Sequence, residues 1–182
     1  MIHQPEIFAG LPRHPLPPFT IRRARLTDEA AVTRLLTESY GTLLAPDYHP
    51  NVLAAALPTI GVAQPALLAG TGYHVAEAGN GEIIAAGGWT WLGPTGGAAP
   101  VDWGHMRHVA VEPRLAGMGI GSVLVAHVVD HARCEGVRVL NCLSTLTARG
   151  FYARQGFADF GGVELSLAPG LRFPAVQMRL ML

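Results

Sequence analysis

The stretch Val109–Ala132, VAVEPRLAGMGIGSVLVAHVVDHA, constrains this chain more than any other. β-Forming residues run into Gly117, Gly119 and Gly121, and an apolar helical pattern begins directly after them. The first turn of a helix has backbone N–H groups without intrahelical partners, and the positive end of the helix dipole lies there. Glycines at that point remove Cβ atoms and let an anion approach those amides. The stretch reads either as a phosphate cradle fed by a strand or as a Gly-rich β–α turn without a ligand. The local pattern leaves both open.

Two familiar phosphate motifs do not fit. A P-loop needs Gly-Lys-Ser/Thr, and all 13 basic residues of the chain are Arg. The dinucleotide fingerprint needs a third Gly where Ser122 stands. The missing lysine also excludes a lysine Schiff base.

A length of 182 residues suffices for one domain with a core of its own. Basic and acidic residues number 13 each, which argues against a nucleic-acid partner or a polybasic membrane surface. Only two cysteines, Cys134 and Cys142, are present, and the expectation is reduced thiols in a cytoplasmic protein. The first residues lack the uninterrupted apolar run of a signal peptide, and Pro58 and Pro65 break the most apolar later segment.

Residues 1–18 hold five prolines and read as an extended arm, leaving 19–182 as the folded domain. A strand is expected over 19–26. A helix follows, capped by Thr27 or Asp28 and stopped by Gly41. Helical pieces cut by prolines are expected over 42–71. Two apolar runs around Asn80-Gly81 form a hairpin. A loop over 93–100, a strand over 102–112 and the helix from about Gly119 to Glu135 come next. Then come a strand over 137–144, a short helix capped by Thr147, and a final hairpin. Hairpins mixed with crossovers imply a mixed sheet covered by helices, an α/β chain of the α+β type.

The glycine loop Ala116-Gly-Met-Gly-Ile-Gly121, eight residues downstream of the strand valine Val111 at its central Gly119, resembles the acyl-coenzyme A loop of the GNAT (Gcn5-related N-acetyltransferase) family. An overlapping register, Arg114-Leu-Ala-Gly-Met-Gly119, also satisfies the letters of that loop. Ala116 stands where the family usually has Arg or Gln. A second segment, ARGFYARQGF over 148–157, is similar to the family's A-x-x-F/L-Y-x-x-x-G-F signature. The two occur in family order, and the resemblance spans roughly residues 19–182.

The resemblance implies a mixed sheet of six to seven strands flanked by about four helices, with the fourth and fifth strands splayed into a cleft. It implies an N-acetyltransferase that uses acetyl-CoA as co-substrate, without a metal, and acts on a small-molecule amine. Backbone groups of Val109, Ala110 and Val111 would pair with the pantetheine arm. Amides of Gly117, Met118, Gly119, Ile120, Gly121 and Ser122 would hold the diphosphate. Thr145 and Thr147 occupy positions where the family often has a coenzyme-contacting Asn. Tyr152 matches the family tyrosine that often serves as general acid, or it only hydrogen-bonds the sulfur. His105 matches histidines that serve as, or lead to, the base, although a water chain is an alternative. Strand alternation groups residues 105, 107, 109 and 111 on one face and assigns His108 to the other, as a structural residue. The acceptor pocket is expected to draw on Tyr40, Tyr48, Trp89 and Arg107. Neither nucleic acid nor membrane is an expected partner, and the apolar composition allows a homodimer. Rival readings are an acyl-CoA-binding sensor without turnover, and transfer of another acyl group or to an oxygen acceptor.

Overall fold

The computed structural model describes residues 16–93 and 100–182. β1 (Phe19–Arg23) pairs antiparallel with β2 (Tyr73–Ala78), and β2 with β3 (Ile83–Thr90). The turn between β2 and β3 forms as its residues dictate: Gly81 adopts φ 85, and the Asn80 side-chain carbonyl accepts from the Glu82 amide at 3.0 Å. β4 (Trp103–Val111) adds antiparallel to β3 and parallel to β5 (Val139–Thr145). The hairpin of β6 (Ala158–Ala168) and β7 (Leu171–Met181) completes a seven-stranded sheet in the order β1-β2-β3-β4-β5-β7-β6.

Helix α1 (Glu29–Leu43) buries Val32, Leu35 and Leu36 at helical spacing. It runs through Gly41, where the sequence suggests a stop. A Cβ on Gly41 would sit 3.8 Å from the Leu57 Cδ1 atom, so this glycine lets the next helix approach rather than ending its own. The proline-cut segment resolves into α2 (Pro50–Ile60) and α3 (Pro65–Ala69), each with proline in its first turn. With α4 (Ile120–Cys134) and α5 (Arg149–Arg154) the helices number five among the described residues, one more than expected.

The sheet is covered on both faces. α4 lays Leu124, Val125, Val128 and Ala132 against Ala76, Ile84 and Leu140. On the opposite face, α1 and α3 bring Leu35, Leu36, Leu67 and Leu68 to Val75, Ala86 and Ala110. Residues 1–15 of the expected arm and 94–99 of the expected loop lie outside the described residues.

Candidate active site

β4 and β5 pair only from Trp103–His105 to Val139–Asn141. Beyond His105 no rung joins them, and the edges of Met106–Val111 and Cys142–Thr145 part into a cleft. The opposite edge of β4 shows why. Ala86 faces Ala110 and Gly88 faces Arg107, so Gly87 alone stands opposite both His108 and Val109. This is a β-bulge, and His108 pays for it with φ 43, a positive value that no other described non-glycine residue takes. Gly87 makes room, since a Cβ there would lie 2.8 Å from Val109 Cγ2. The Tyr73 hydroxyl donates to the His108 carbonyl at 3.1 Å and the Tyr40 hydroxyl to the Val109 carbonyl at 3.4 Å.

The extra residue inverts the alternation expected from the sequence. Val109 and Val111 pack toward α4, whereas Arg107 and His108 both line a cavity of about 220 Å3 on the α1–α2 side. His108, expected on the far face, therefore joins Arg107. Strand alternation assumes an unbroken pleat, and no residue pattern in the sequence announces the bulge.

The three glycines do different work. Gly117 and Gly119 take φ 77 and 94, the left-handed region that favours glycine. Gly119 is the N-cap of α4 and makes no side-chain cap; the first helical bond runs from the Val123 amide to the Gly119 carbonyl at 3.1 Å. The amides before it are left to an outside partner. Gly121 is needed for packing, because a Cβ there would meet Val111 Cγ2 at 3.3 Å and Phe151 Cε2 at 3.4 Å. These residues border a cavity of about 450 Å3 that extends along Val109–Val111 to Tyr40, Thr145 and Thr147. No side chain fills the approach to Gly117 or Gly119, so the turn fits a diphosphate.

Details of this cavity depart from the sequence reading. The Met118 amide is already bonded to the Leu115 carbonyl at 3.3 Å. The Thr147 hydroxyl donates to Asp47 at 2.7 Å, and the start of α5 is served instead by Thr145, whose hydroxyl accepts from the Ala148 amide at 3.2 Å. Two residues were missed. Gln155 donates to the Ser122 hydroxyl at 3.0 Å and fixes its orientation. Arg154 lines the cavity and brings positive charge to it. Both fall at variable positions of the 148–157 segment, where the letters give no signal.

Tyr152 is 6% exposed, packed edge-on between Phe151 and Phe157, with its hydroxyl beside the Cys142 thiol. Burial first, and then Cys142 and Tyr40, hold its pKa well above the ordinary tyrosine value. Burial likewise pushes the Cys142 thiol up to about 12. Tyr152 thus keeps its proton at neutral pH, and it borders neither the glycine-turn cavity nor the acceptor-side one.

His105 stands at the closed end of the cleft. Its Nδ1 lies 3.4 Å from the Asn141 amide nitrogen, Asn141 accepts from Gln177 at 3.3 Å, and its Nε2 is buried without a partner among the described residues. Burial and then Arg107 lower its pKa. His105 borders neither of the two cavities described. His108 does border the acceptor-side cavity, and burial followed by Arg107 lowers its pKa to about 4, against an opposing hydrogen bond to the Ile60 backbone.

Two residues expected at the acceptor pocket are occupied elsewhere. Tyr48 is buried against Phe173 with ring centroids 4.5 Å apart; its hydroxyl donates to the Pro174 carbonyl and accepts from the Leu146 amide, each at 2.8 Å. The Trp89 indole turns toward α4 and donates to His131 Nδ1 at 3.0 Å. Tyr40 and Arg107 do border the acceptor side.

Residues 32–157 match the Acetyltransferase (GNAT) family, a span that contains the bulge, the glycine turn and Tyr152. The chain belongs to that family. Over 72 residues it is 39% identical to glucosamine 6-phosphate N-acetyltransferase 1 of Oryza sativa subsp. japonica, covering 38% of this chain and 39% of that relative. The GNAT fold recurs in a GCN5-related N-acetyltransferase from Rhodopseudomonas palustris, with a TM-score of 0.68, 18% identity, and coverage of 95% of this chain and 100% of that one. It recurs again in the PaiA N-acetyltransferase of Thermoplasma acidophilum, crystallised with coenzyme A, with a TM-score of 0.68, 12% identity, and coverage of 91% and 99%. The mixed sheet with its parallel β4–β5 pair is thus the GNAT architecture that the two sequence segments imply.

Proposed function

We propose that this protein is an acetyl-CoA-dependent N-acetyltransferase acting on a small amine. One observation carries the reading: a single cavity runs from the bared first turn of α4 to the parted edge of β4. Amides of Gly119 to Ser122 and the helix dipole suit a diphosphate, and unpaired strand groups suit the amides of a pantetheine arm. Bound acetyl-CoA supplies an activated thioester; the protein's share is to orient it beside the amine.

The amine nitrogen forms a bond to the acyl carbon as the carbon–sulfur bond breaks. The nitrogen sheds a proton and the sulfur gains one. By family resemblance Tyr152 is the group that would give the sulfur its proton, although its hydroxyl lies against Cys142 and it borders neither cavity. The neutral imidazole of His108, placed at the acceptor cavity, takes the amine proton directly or through water. His105 is the reserve candidate, three residues upstream on β4 at the closed end of the cleft.

The test is release of coenzyme A thiol from acetyl-CoA in the presence of an amine panel, repeated with propionyl and succinyl donors. Amine-dependent release supports transfer, and the donor series settles the acyl group. The burial of Tyr152 favours one alternative, an acyl-CoA binder without turnover. Tight binding with no release across a broad panel would establish that reading instead.

A further inference from the structure

Arg107 is a half-buried cation without a counter-anion among the described residues. Its guanidinium donates to the Gln64 side-chain carbonyl at 3.1 Å and to the Thr90 hydroxyl at 3.3 Å, both neutral acceptors. Arg22, Arg34, Arg114, Arg133 and Arg149 each pair with a carboxylate. Arg23 instead donates to the Ala69 and Gly70 carbonyls and Arg179 stacks over Trp103 and Phe160, but neither borders the acceptor-side cavity as Arg107 does. Burial lowers the Arg107 pKa, the mark of a cation short of solvation. Gln64 and Arg107 lie between two cavities, one of about 220 Å3 toward Tyr40 and His108 and one of about 430 Å3 toward Trp91 and Leu92. Among the described residues, no Asp or Glu borders either.

A guanidinium has five N–H groups in a fixed fork, and two bonds leave three of them for a ligand. Carboxylates and phosphates match that fork in a bidentate manner. A polycationic acceptor requires acidic lining, and these walls have none. We propose that the acceptor amine also bears an acidic group, a carboxylate or a phosphate, and that Arg107 receives it. The proposal rests on the acetyl-transfer reading above. Arg107 precedes Val109 by two residues across the bulge, at most about 7 Å along the chain. The acid and the amine therefore belong to one small molecule, with the acid anchored on β4 upstream of the thioester. Gln64 accepts from the fork on one side, and its amide nitrogen lies 3.4 Å from His108 Nε2.

The experiment compares matched amines on the full chain: one scaffold with a carboxylate, the same with a phosphate, and the same with a neutral amide. Acid-bearing amines are expected to exceed the neutral one by at least tenfold in kcat/KM. Whichever acid is preferred identifies the source. In Arg107→Gln the preference is expected to collapse by roughly 10- to 100-fold through KM for the acceptor, with KM for acetyl-CoA unchanged. Arg107→Lys should rescue it in part. Equal or better use of the neutral amine by the wild type overturns the proposal, and this arm needs no variant to fold. If no amine is turned over, the transfer reading fails. The acid site is then judged by thermal shift with inorganic phosphate and with acetate. A shift lost in Arg107→Gln supports the site, and an equal or absent shift in both proteins overturns it.

Discussion

The Tyr73 hydroxyl donates to the carbonyl of His108 at 3.1 Å, at the residue where β4 leaves its regular pleat. Tyr73 is 3% exposed, so its loss takes a buried donor away from that carbonyl. Tyr73→Phe is expected to cost about 1–3 kcal/mol, read as a lower urea midpoint with an unchanged slope. Acceptor KM should rise as the bulge relaxes. A variant as stable as wild type, with unchanged kinetics, would show that the bulge is held by packing alone.

The φ of 43 at His108 gives a second expectation. Any residue with a Cβ is strained there by about 1–2 kcal/mol, and glycine is not. His108→Gly and His108→Ala remove the same imidazole, yet the glycine variant should be the more stable of the two. Both should lower turnover, because both remove the proposed proton acceptor. If the two are equally stable, the backbone at 108 is relaxed and the bulge description is wrong.

At the glycine turn, Gly119→Ala adds a Cβ that meets nothing within 4 Å of protein but must adopt φ 94. The strain of about 1 kcal/mol should lower Tm by roughly 2–4 °C. Coenzyme A affinity should fall tenfold or more, on the order of 1.4 kcal/mol, because the methyl group projects where the ligand must approach. Calorimetric titration separates the two effects. Undiminished affinity would remove the turn from the binding site.

Tyr152→Phe deletes a hydroxyl that faces Cys142 inside the core. If it reaches the departing sulfur, turnover should fall by about 10²-fold while coenzyme A binding stays within twofold. Unchanged turnover in an active enzyme would confine Tyr152 to packing.

Much of this was legible in the residues. Asn80-Gly81 announced the β2–β3 turn, the apolar spacing of Val32, Leu35 and Leu36 announced α1, and the glycines announced the mouth of α4. Each of those signals is local. What escaped was set by distant partners. The bulge depends on Gly87 in the neighbouring strand and on Tyr73 beyond it, so alternation along β4 alone misplaced His108. Thr147 has the letters of a helix cap, but Asp47, 100 residues away, claims its hydroxyl. Trp89 and Tyr48 look like ligand platforms until His131 and Pro174 take their polar atoms.

A last expectation concerns acid. His74 is 4% exposed beneath α4, with the rings of His127 and His131 centred 4.6 and 5.0 Å away. Burial first, then those two histidines, lower its pKa to about 4, and Arg23 adds to the effect. The unfolded chain accepts this proton near pH 6.5, whereas the folded chain refuses it until about 4. Between those values the unfolded state binds more protons, so stability is at its full level above pH 6.5 and declines as pH falls through the window. His108, also lowered to about 4, acts in the same direction and leaves part of the effect in any single variant. Urea midpoints measured from pH 8 to pH 4 should fall on acidification in the wild type, and less steeply in His74→Phe. A His74→Phe profile parallel to that of wild type would mean that His74 is protonated as readily in the fold as outside it.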